Sequence, residues 1–232
     1  MLLINLLIDK IRAIRIIIII VFVILMSKTK LGEVMYTHDD VKVLGCEPLY
    51  KGFFKCNKYT LRHKLFSGDW SSEIQREFFE RGKAAALLAY DVERDTVILV
   101  EQFRFGAMEG KQSPWLFELI AGMIDEGESP EEVVKREACE EAGLIIDECQ
   151  FMLSYFVSPG GTTETLDLYI ANVDSRNVEG VFGLDDEGED IRVHVVSRED
   201  AYQWVTTGKI NNAATIIGLQ WLELNYKTGL NI

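Results

Sequence analysis

Glu128, Glu137, Glu140 and Glu141, together with Arg136, have the types and the spacing of a divalent-cation site. Glu137, Glu140 and Glu141 stand at positions i, i+3 and i+4, so they share one face if the segment is a helix. Three carboxylates this close repel one another, and Arg136 offsets only part of the repulsion. Cations that prefer carboxylate oxygens would neutralise the cluster; Mg²⁺ is the expected ion, with Mn²⁺ as the alternative. The competing interpretation is an ordinary acidic helix face exposed to solvent.

The flanking residues predict the helix that has to position these carboxylates. Ser129 is typical of an N-cap, Pro130 of the first helical position, and Glu132 completes a capping box. Gly143 is typical of a helix stop, so the sequence predicts a helix over Pro130–Ala142. A stripe of small and aliphatic residues beside the carboxylates predicts the buried side: Val134, Ala138 and Ala142. The carboxylates are therefore expected at the edge of a packed face.

The whole segment 122–144 fits the pattern G-x5-E-x7-R-E-U-x-E-E-x-G-U, where U is aliphatic, without a mismatch. It resembles the Nudix box. The pattern fixes nine positions, four of them glutamates, and is therefore far more specific than a lone glycine motif. The resemblance implies a metal-dependent hydrolase of nucleoside diphosphates linked to another group.

Further stretches resemble the ADP-ribose pyrophosphatase branch of the Nudix hydrolases, from about residue 45 to residue 225. These are LYKGFF, EIQREFFERGKAA, VEQFRFGA, SPGGTTE and GLDDEGEDIRVHVVSREDAYQWV. The resemblance implies a Nudix α/β/α sandwich that hydrolyses ADP-ribose to AMP and ribose 5-phosphate. It also implies a homodimer in which the small N-terminal domains are exchanged between subunits.

The resemblance also implies roles for individual acidic residues. The metal would be held by the Ala121 carbonyl and by Glu137, Glu141 and Glu189, with Glu140 assisting through a second metal or through water. Glu187, on the acidic loop, matches the general base, because a loop carboxylate could take the proton of a water activated by the metal. Asp186 and Glu189 compete for that role, and an ordinary solvated loop acid remains the alternative for Glu187.

Substrate recognition requires cations and a flat apolar surface. Arg76 and Arg104 are expected to pair with phosphate oxygens through their guanidinium forks. By the resemblance, Phe53 and Phe54 stack on the adenine, partly from the partner subunit; the alternative is that they pack within the small sheet. The remaining expected substrate contacts are Arg81, Met123, Ser158, Gly160 and Glu164, the last toward the terminal ribose hydroxyls.

Two other functions stay open at this stage. The box performs the pyrophosphate chemistry while the surrounding loops select the leaving group, so another nucleotide sugar or a dinucleotide is an alternative substrate. A Nudix scaffold that binds a nucleotide without cleaving it is the other alternative. A sensor of that kind is expected to lose box glutamates, and this sequence keeps them all.

The remaining pattern predicts an α/β protein with a small all-β appendage. Alternating stretches within 41–79 indicate an antiparallel sheet of about three strands. The resemblance implies that this sheet is a dimerisation domain and that 80–232 is the Nudix domain. Strands are predicted at KAAALLAYD, DTVILVEQF, FMLSYFV, LDLYIANV and DIRVHVV, and WLFELI leads into the box. Ser197 is expected to cap a helix that continues through Trp204, and a last helix is predicted at about 212–226.

Composition restricts the partners. The net charge of −13 argues against binding nucleic acid, because a phosphate backbone requires a basic surface. The four cysteines form no Cys-x-x-Cys pair and no disulfide-framework spacing, which predicts reduced thiols in a cytoplasmic protein. The expected partner is therefore a small-molecule nucleotide.

The first 25 residues do not fit this picture. An uninterrupted apolar run occupies residues 16–26, about half of what a membrane-spanning helix requires. We interpret the extension as an artefact of start-site choice or as a disordered or weakly helical segment, and we expect it to be dispensable when translation starts at Met26. A signal anchor is the alternative, and cell fractionation would distinguish the two.

Overall fold

The computed structural model describes residues 35–228, 230 and 232, so the apolar extension lies outside the described residues. The chain forms two compact units. One contains residues up to Cys46 together with Tyr59–Gln75, and the other contains Glu47–Lys58 together with Arg76–Ile232. In the described part of the chain, no helix is long and apolar enough to cross a membrane.

Three N-terminal strands form an antiparallel sheet in the order β1–β2–β3, as the alternating sequence pattern predicts. They are β1 (Val41–Lys51), β2 (Lys55–His63) and β3 (Ile74–Glu80). All eleven residues of β1 are exposed to solvent, including the aliphatic Val43 and Leu44. Within the first unit, the ammonium groups of Lys42 and Lys64 lie 4.3 and 4.9 Å from the centre of the Trp70 ring.

The second unit contains an eight-stranded mixed sheet. Its strands are β4 (Lys83–Asp91), β5 (Thr96–Phe103), β6 (Trp115–Glu118), β7 (Ile120–Met123), β8 (Gln150–Phe156), β9 (Thr165–Asn172), β10 (Gly180–Phe182) and β11 (Ile191–Ser197). The main order is β10–β11–β5–β4–β9–β8, with β6 paired to β5 and β7 paired to β4. Strand β4 runs parallel to β9 and antiparallel to its other neighbours.

The segment WLFELI, which leads into the box, contributes to two strands in the structure. Strand β6 ends at Glu118 and β7 begins at Ile120, so the chain passes from β5 to β4 at Leu119. The Leu119 N–H donates a hydrogen bond to the Thr215 hydroxyl at 3.0 Å instead of to a strand. A distant side chain therefore stabilises the break, which the local sequence pattern does not reveal.

Helices cover both faces of this sheet. They are α1 (Pro130–Ala142), α2 (Arg198–Thr206) and α3 (Ala213–Asn225). Alternate residues of β4 and β5 point to opposite faces. Leu87 and Ile98 pack in one core with the apolar side of α1, and Leu88 and Leu99 in a second core with residues of α2 and α3. The predicted α/β/α sandwich is confirmed.

The predicted boundaries of α1 are also confirmed. The Ser129 hydroxyl accepts a hydrogen bond from the Glu132 N–H at 3.3 Å, and the Glu132 carboxylate accepts one from the Ser129 N–H at 2.8 Å. At the other end, Gly143 has a φ of +64°, a left-handed conformation that glycine adopts without strain. The Leu144 N–H then donates to the Ala138 carbonyl at 2.9 Å. These local interactions fix where the acidic helix begins and ends.

A buried carboxylate at the end of β4 holds together two connections of the second unit. Asp91 is 1% exposed and accepts hydrogen bonds from the Ser175 N–H at 2.8 Å and the Ser175 hydroxyl at 2.6 Å. The Arg94 N–H and guanidinium donate to it at 3.0 and 3.1 Å. Burial alone would raise the pKa of Asp91, but the donors at Ser175 and Arg94 hold it well below its usual range.

We expect Asp91→Ala to lower the free energy of unfolding by about 2–4 kcal/mol at pH 7, because it leaves buried donors at Ser175 without an acceptor. The folded pKa of Asp91 lies below the unfolded value of about 4, so its contribution is complete above that value. It is lost as the pH falls toward the folded pKa. Urea unfolding of both proteins from pH 7 to pH 3 measures the difference. A difference that stays constant down to pH 3, or is absent at pH 7, would contradict this account.

Candidate active site

The most deeply buried acidic side chain of α1 is Glu141, which is 2% exposed. One of its carboxylate oxygens accepts a hydrogen bond from the Ala121 N–H at 3.1 Å, and the other from the Gln102 side-chain amide at 3.4 Å. Burial raises the pKa of Glu141 to about 8, although the Ala121 N–H opposes this. A carboxylate held in this way is strongly disfavoured as an anion unless positive charge lies beside it.

Glu137 lies directly over Gly122 of β7. A Cβ atom added at Gly122 would stand 1.7 Å from Glu137 Oε1, so the absence of a side chain makes room for the carboxylate. Burial raises the pKa of Glu137, Arg136 opposes the rise, and the charges of Glu140 and Glu189 add to it. The glycine that opens the box is therefore required by close approach between the helix and the strand.

Arg136 organises the exposed side of the cluster. Its Nη1 atom lies 2.9 Å from carboxylate oxygens of both Glu137 and Glu140. Its Nε and Nη2 atoms donate to the Glu128 carboxylate at 2.9 and 3.2 Å. One guanidinium thus restrains three box glutamates, but it makes no contact with Glu141.

The acidic loop after β10 reaches the same helix. The Gly183 N–H donates to the Glu140 carbonyl at 3.2 Å, and the Glu189 carboxylate accepts from the Leu184 N–H at 3.1 Å. The charge of Glu189 raises the pKa of both Glu137 and Glu141. Glu187 closes the short 3₁₀ turn Asp185–Glu187, and its side chain lies outside the described part of the structure.

These donors fit a divalent cation by their chemistry. All are oxygen atoms, and the carboxylates are withdrawn from water with raised pKa values, which a bound cation would reverse. Among the described residues, no three His, Cys, Asp or Glu side chains already converge closely enough to form a cage. One oxygen of the Glu137 carboxylate, Oε1, accepts a hydrogen bond from Arg136.

A second cluster gathers the residues expected to hold the ends of the substrate. The Phe54 ring lies 4.8 Å from the Phe53 ring and 5.1 Å from the Phe79 ring, centre to centre. The Arg81 guanidinium stands 5.0 Å from the centre of the Phe54 ring, and its Nε lies 3.7 Å from the Glu164 carboxylate. Phe53 is 86% exposed, so one aromatic face of this cluster is open to solvent.

The glycine-rich loop after β8 adjoins this aromatic cluster. The Phe79 N–H donates to the Gly161 carbonyl at 2.8 Å, and the Gly161 N–H donates to the Ser158 carbonyl at 3.0 Å. A Cβ atom at Gly160 or Gly161 would meet nothing within 4 Å. The surrounding protein atoms therefore do not require glycine at either position.

The other expected contacts occupy different places. Met123, partly exposed on β7, follows Gly122 directly, and its methyl group would lie 3.8 Å from a Cβ at Gly82. Arg104 pairs with Glu118 through a 2.9 Å contact. Arg76 is exposed on β3. On β7, Gly122 therefore lies against Glu137 of the acidic cluster. The next residue, Met123, lies beside Gly82, which follows Arg81.

Three contacts were missed by reasoning from the sequence. Gln102 binds Glu141, Glu118 binds Arg104, and Phe79 connects Phe54 to the glycine-rich loop. A polar residue within the apolar strand DTVILVEQF is a signal that could have singled out Gln102. The sequence offers no comparable signal for Glu118 or Phe79, because their partners lie outside their local patterns.

We expect Gly122→Ala to displace the Glu137 carboxylate and to weaken Mg²⁺ binding by about 10–100-fold, the usual effect of disturbing the surroundings of a metal ligand. Calorimetric titration with Mg²⁺ measures the change. Gly106→Ala is the matched control, because its Cβ would meet nothing within 4 Å. Equal Mg²⁺ affinity in Gly122→Ala and the control, with both proteins folded, would contradict the role of Gly122.

Comparisons with known proteins identify the family of the chain. Residues 80–216 match the NUDIX domain. The chain is 53% identical to the ADP-ribose pyrophosphatase of Escherichia coli (strain K12) over 194 residues, which are 84% of this chain and 93% of that protein. It is 49% identical to the ADP-ribose pyrophosphatase of Haemophilus influenzae, over 82% of this chain and 89% of that protein. It is also 35% identical to the GDP-mannose pyrophosphatase of Yersinia pestis (strain Pestoides F), over 80% and 93%.

A solved structure described as an ADP compounds hydrolase has the same fold, with a TM-score of 0.62. It is 19% identical and the alignment covers 84% of this chain and 98% of that one, so it supports the fold alone. The NUDIX match covers more than half of the chain, and the E. coli relative aligns over most of its length. The chain therefore belongs to the Nudix family and is a hydrolase.

Proposed function

We propose that this protein hydrolyses the pyrophosphate of ADP-ribose to AMP and ribose 5-phosphate, with Mg²⁺ as the divalent cation. The choice of substrate rests on one observation, the 53% identity over 84% of the chain to a protein named ADP-ribose pyrophosphatase. The chemistry is supported independently by the buried carboxylates of α1 and their approach to β7.

In this proposal the cation would be held by the Ala121 carbonyl, Glu137, Glu141 and Glu189, with Glu140 assisting through a second ion or through water. When bound, a divalent cation draws negative charge from the pyrophosphate and lowers the pKa of a water molecule that it coordinates. Gln102 and the Ala121 N–H hold Glu141 in a fixed orientation. The proposed ligands thus come from strand β7, the capped helix α1 and the acidic loop.

Glu187 is proposed to accept the proton of the attacking water. The water oxygen forms a bond to one phosphorus atom, the bond from that phosphorus to the bridging oxygen breaks, and the second phosphate leaves with that oxygen. Arg104 is proposed to donate its terminal nitrogens to pyrophosphate oxygens, where negative charge changes during the reaction. A loop carboxylate suits the role of base, because it can approach the water after the substrate has bound.

The aromatic cluster is proposed to bind the nucleoside end of the substrate. Phe53 and Phe54 would stack on the adenine, and Arg81, already against the Phe54 ring, would lie beside them. The other proposed contacts are Arg76, Met123, Ser158, Gly160 and Glu164, with Glu164 accepting from the terminal ribose hydroxyls. The loop glycines leave space on that side, because no protein atom approaches their Cβ positions.

GDP-mannose is the second candidate substrate, because GDP-mannose pyrophosphatases are 35% identical to the chain. A non-catalytic nucleotide sensor is the third. The intact set of box carboxylates and their buried surroundings favours an enzyme over a sensor. We place the enzyme in the cytoplasm with reduced thiols, since all four cysteines are free. Its net charge of −13 makes nucleic acid an improbable partner.

We further propose a homodimer with exchanged N-terminal domains. Strand β1 is exposed along its whole length, and five of its apolar side chains are at least 45% exposed: Val41, Val43, Leu44, Leu49 and Tyr50. Exposed apolar side chains along an eleven-residue edge strand are typical of a surface that another protein covers. In the dimer, Phe53 would complete the adenine site of the partner.

Hydrolysis of a panel of ADP-ribose, GDP-mannose, other nucleotide sugars and dinucleotides with Mg²⁺ tests the substrate. We expect the largest kcat/KM for ADP-ribose, with AMP and ribose 5-phosphate formed in equal amounts. Preference for GDP-mannose would replace the first candidate by the second. Tight binding of ADP-ribose without any hydrolysis would favour the sensor.

We expect Glu187→Gln to lower kcat by about 10²–10⁴-fold with a much smaller change in KM, because a general base acts in the transition state. Steady-state kinetics with saturating Mg²⁺ measure both constants, and Asp186→Gln and Glu189→Gln are the comparison variants. A larger loss of kcat in either of these would transfer the role of base to that residue. Weakened Mg²⁺ binding is expected only for Glu189→Gln.

We expect light scattering to give twice the mass of one chain, and the double substitution Val43→Glu and Leu44→Glu to lower it to one chain. Charges on a buried apolar surface oppose association. Activity should fall with the dimer, since Phe53 would no longer reach the partner site. Ile145→Glu is the matched control, because Ile145 is 87% exposed outside β1. A monomeric wild-type enzyme with full activity would contradict the proposal.

A further inference from the structure

Glu118 is a half-buried acidic residue that lies outside the box. It ends β6 and stands opposite Val100 of β5 in the strand register. Residues two apart on a strand share a face, so Glu118 lies on the same face of the sheet as Val100, Gln102 and Arg104. That face is the one on which Gln102 reaches Glu141 of α1. The carboxylate is therefore placed on the active-site side of the sheet.

The contact between Glu118 and Arg104 is specific in its geometry. Glu118 Oε2 accepts a hydrogen bond from Arg104 Nε at 2.9 Å, and the Glu118 side chain is only 15% exposed. Arg104 Nη1 and Nη2 have no acceptor among the residues that the structure describes, and the Arg104 side chain is 46% exposed. A guanidinium held at Nε keeps both terminal nitrogens free for two oxygens of one phosphate.

The charge of Arg104 already extends to the box. It lowers the pKa of Glu141, opposing the effect of burial. An unrestrained guanidinium in this position could turn toward the box carboxylates, where it would neutralise metal ligands instead of binding substrate. The ion pair with Glu118 holds the side chain away from that alternative.

Burial of Glu118 is unfavourable in itself. Burial raises its pKa, and Arg104 offsets this only in part. The strand pairing of β5 with β6 does not depend on this side chain, and an apolar residue of similar volume would pack there without the cost of burying a charge. The half-buried Glu118 carboxylate is thus better explained by its hydrogen bond to Arg104 Nε, which restrains that side chain, than by a contribution to the stability of the sheet.

We propose that Glu118 is a positioning residue that acts on substrate through Arg104, fixing the guanidinium so that its terminal nitrogens face the pyrophosphate. This inference rests on the proposed function, in which Arg104 binds phosphate oxygens. It predicts that Glu118 affects substrate binding only while Arg104 is present.

The test is a double-mutant cycle in the full-length protein, with Glu118→Met, Arg104→Ala and the double variant. Methionine matches the volume of glutamate but offers no strong acceptor. We expect Glu118→Met to raise the KM for ADP-ribose about tenfold with little change in kcat, the range for losing one hydrogen bond to a charged group. The double variant should bind no more weakly than Arg104→Ala alone. Glu118→Gln, which retains an acceptor oxygen, should recover most of the loss.

Calorimetry with an ADP-ribose analogue whose bridging pyrophosphate oxygen is replaced by methylene measures binding without turnover. Asp95→Ala is the matched control, because Asp95 forms an arginine pair at 2.8 Å with Arg198 away from the acidic helix. It should lower the melting temperature without changing KM. If Glu118→Met does not fold, Glu118→Ala replaces it in the same cycle.

Several outcomes would overturn the inference. If the wild-type protein hydrolyses ADP-ribose and the Glu118 variants have unchanged KM, the inference alone fails. It also fails if the two substitutions weaken binding additively, because Glu118 would then act independently of Arg104. A wild-type protein that does not hydrolyse ADP-ribose would overturn the proposed function as well.

Discussion

The structure of the site depends on bringing carboxylates into a dry layer between a helix and a strand. Glu141 is inaccessible to water, and Glu137 occupies space that a side chain at residue 122 would fill. Like charges in such a layer repel strongly and are costly to desolvate. The fold tolerates them because backbone and amide donors hold Glu141 while Arg136 restrains the outer carboxylates. A divalent cation would relieve this repulsion, and that relief would favour its binding.

The arginines of the site are divided between two tasks. Arg136 makes four hydrogen bonds to Glu128, Glu137 and Glu140 and positions these side chains on and before the helix. Arg104 and Arg81 each have one carboxylate partner and remain more than 40% exposed, so they keep capacity for a ligand. An acidic protein can thus bind an anionic substrate with few arginines, because a carboxylate partner positions each exposed arginine of the site.

Structural features that depend on neighbouring residues could be predicted from the sequence, and features that depend on distant residues could not. Helix α1 was predicted to the residue, because Ser129, Glu132 and Gly143 act within a few positions of its ends. Strands β4 and β5 were predicted from their apolar runs, and the helix layers on their two faces were expected from the resemblance. The break at Leu119 and the pairing of Glu118 with Arg104 were not predicted, since both depend on side chains that only the folded sheet brings near. The ligand roles of the box residues remain predictions from resemblance.

The break between β6 and β7 affects the order in which the protein folds during synthesis. Thr215, at the start of α3, binds the Leu119 N–H, and Asn212 donates to the Phe117 carbonyl at 2.7 Å. These two contacts hold the backbone on both sides of Glu118, the residue that pairs with Arg104, just before Ala121. During synthesis from the N-terminus, the acidic helix emerges long before α3. The carboxylate layer can therefore reach its final geometry only after α3 has been synthesised.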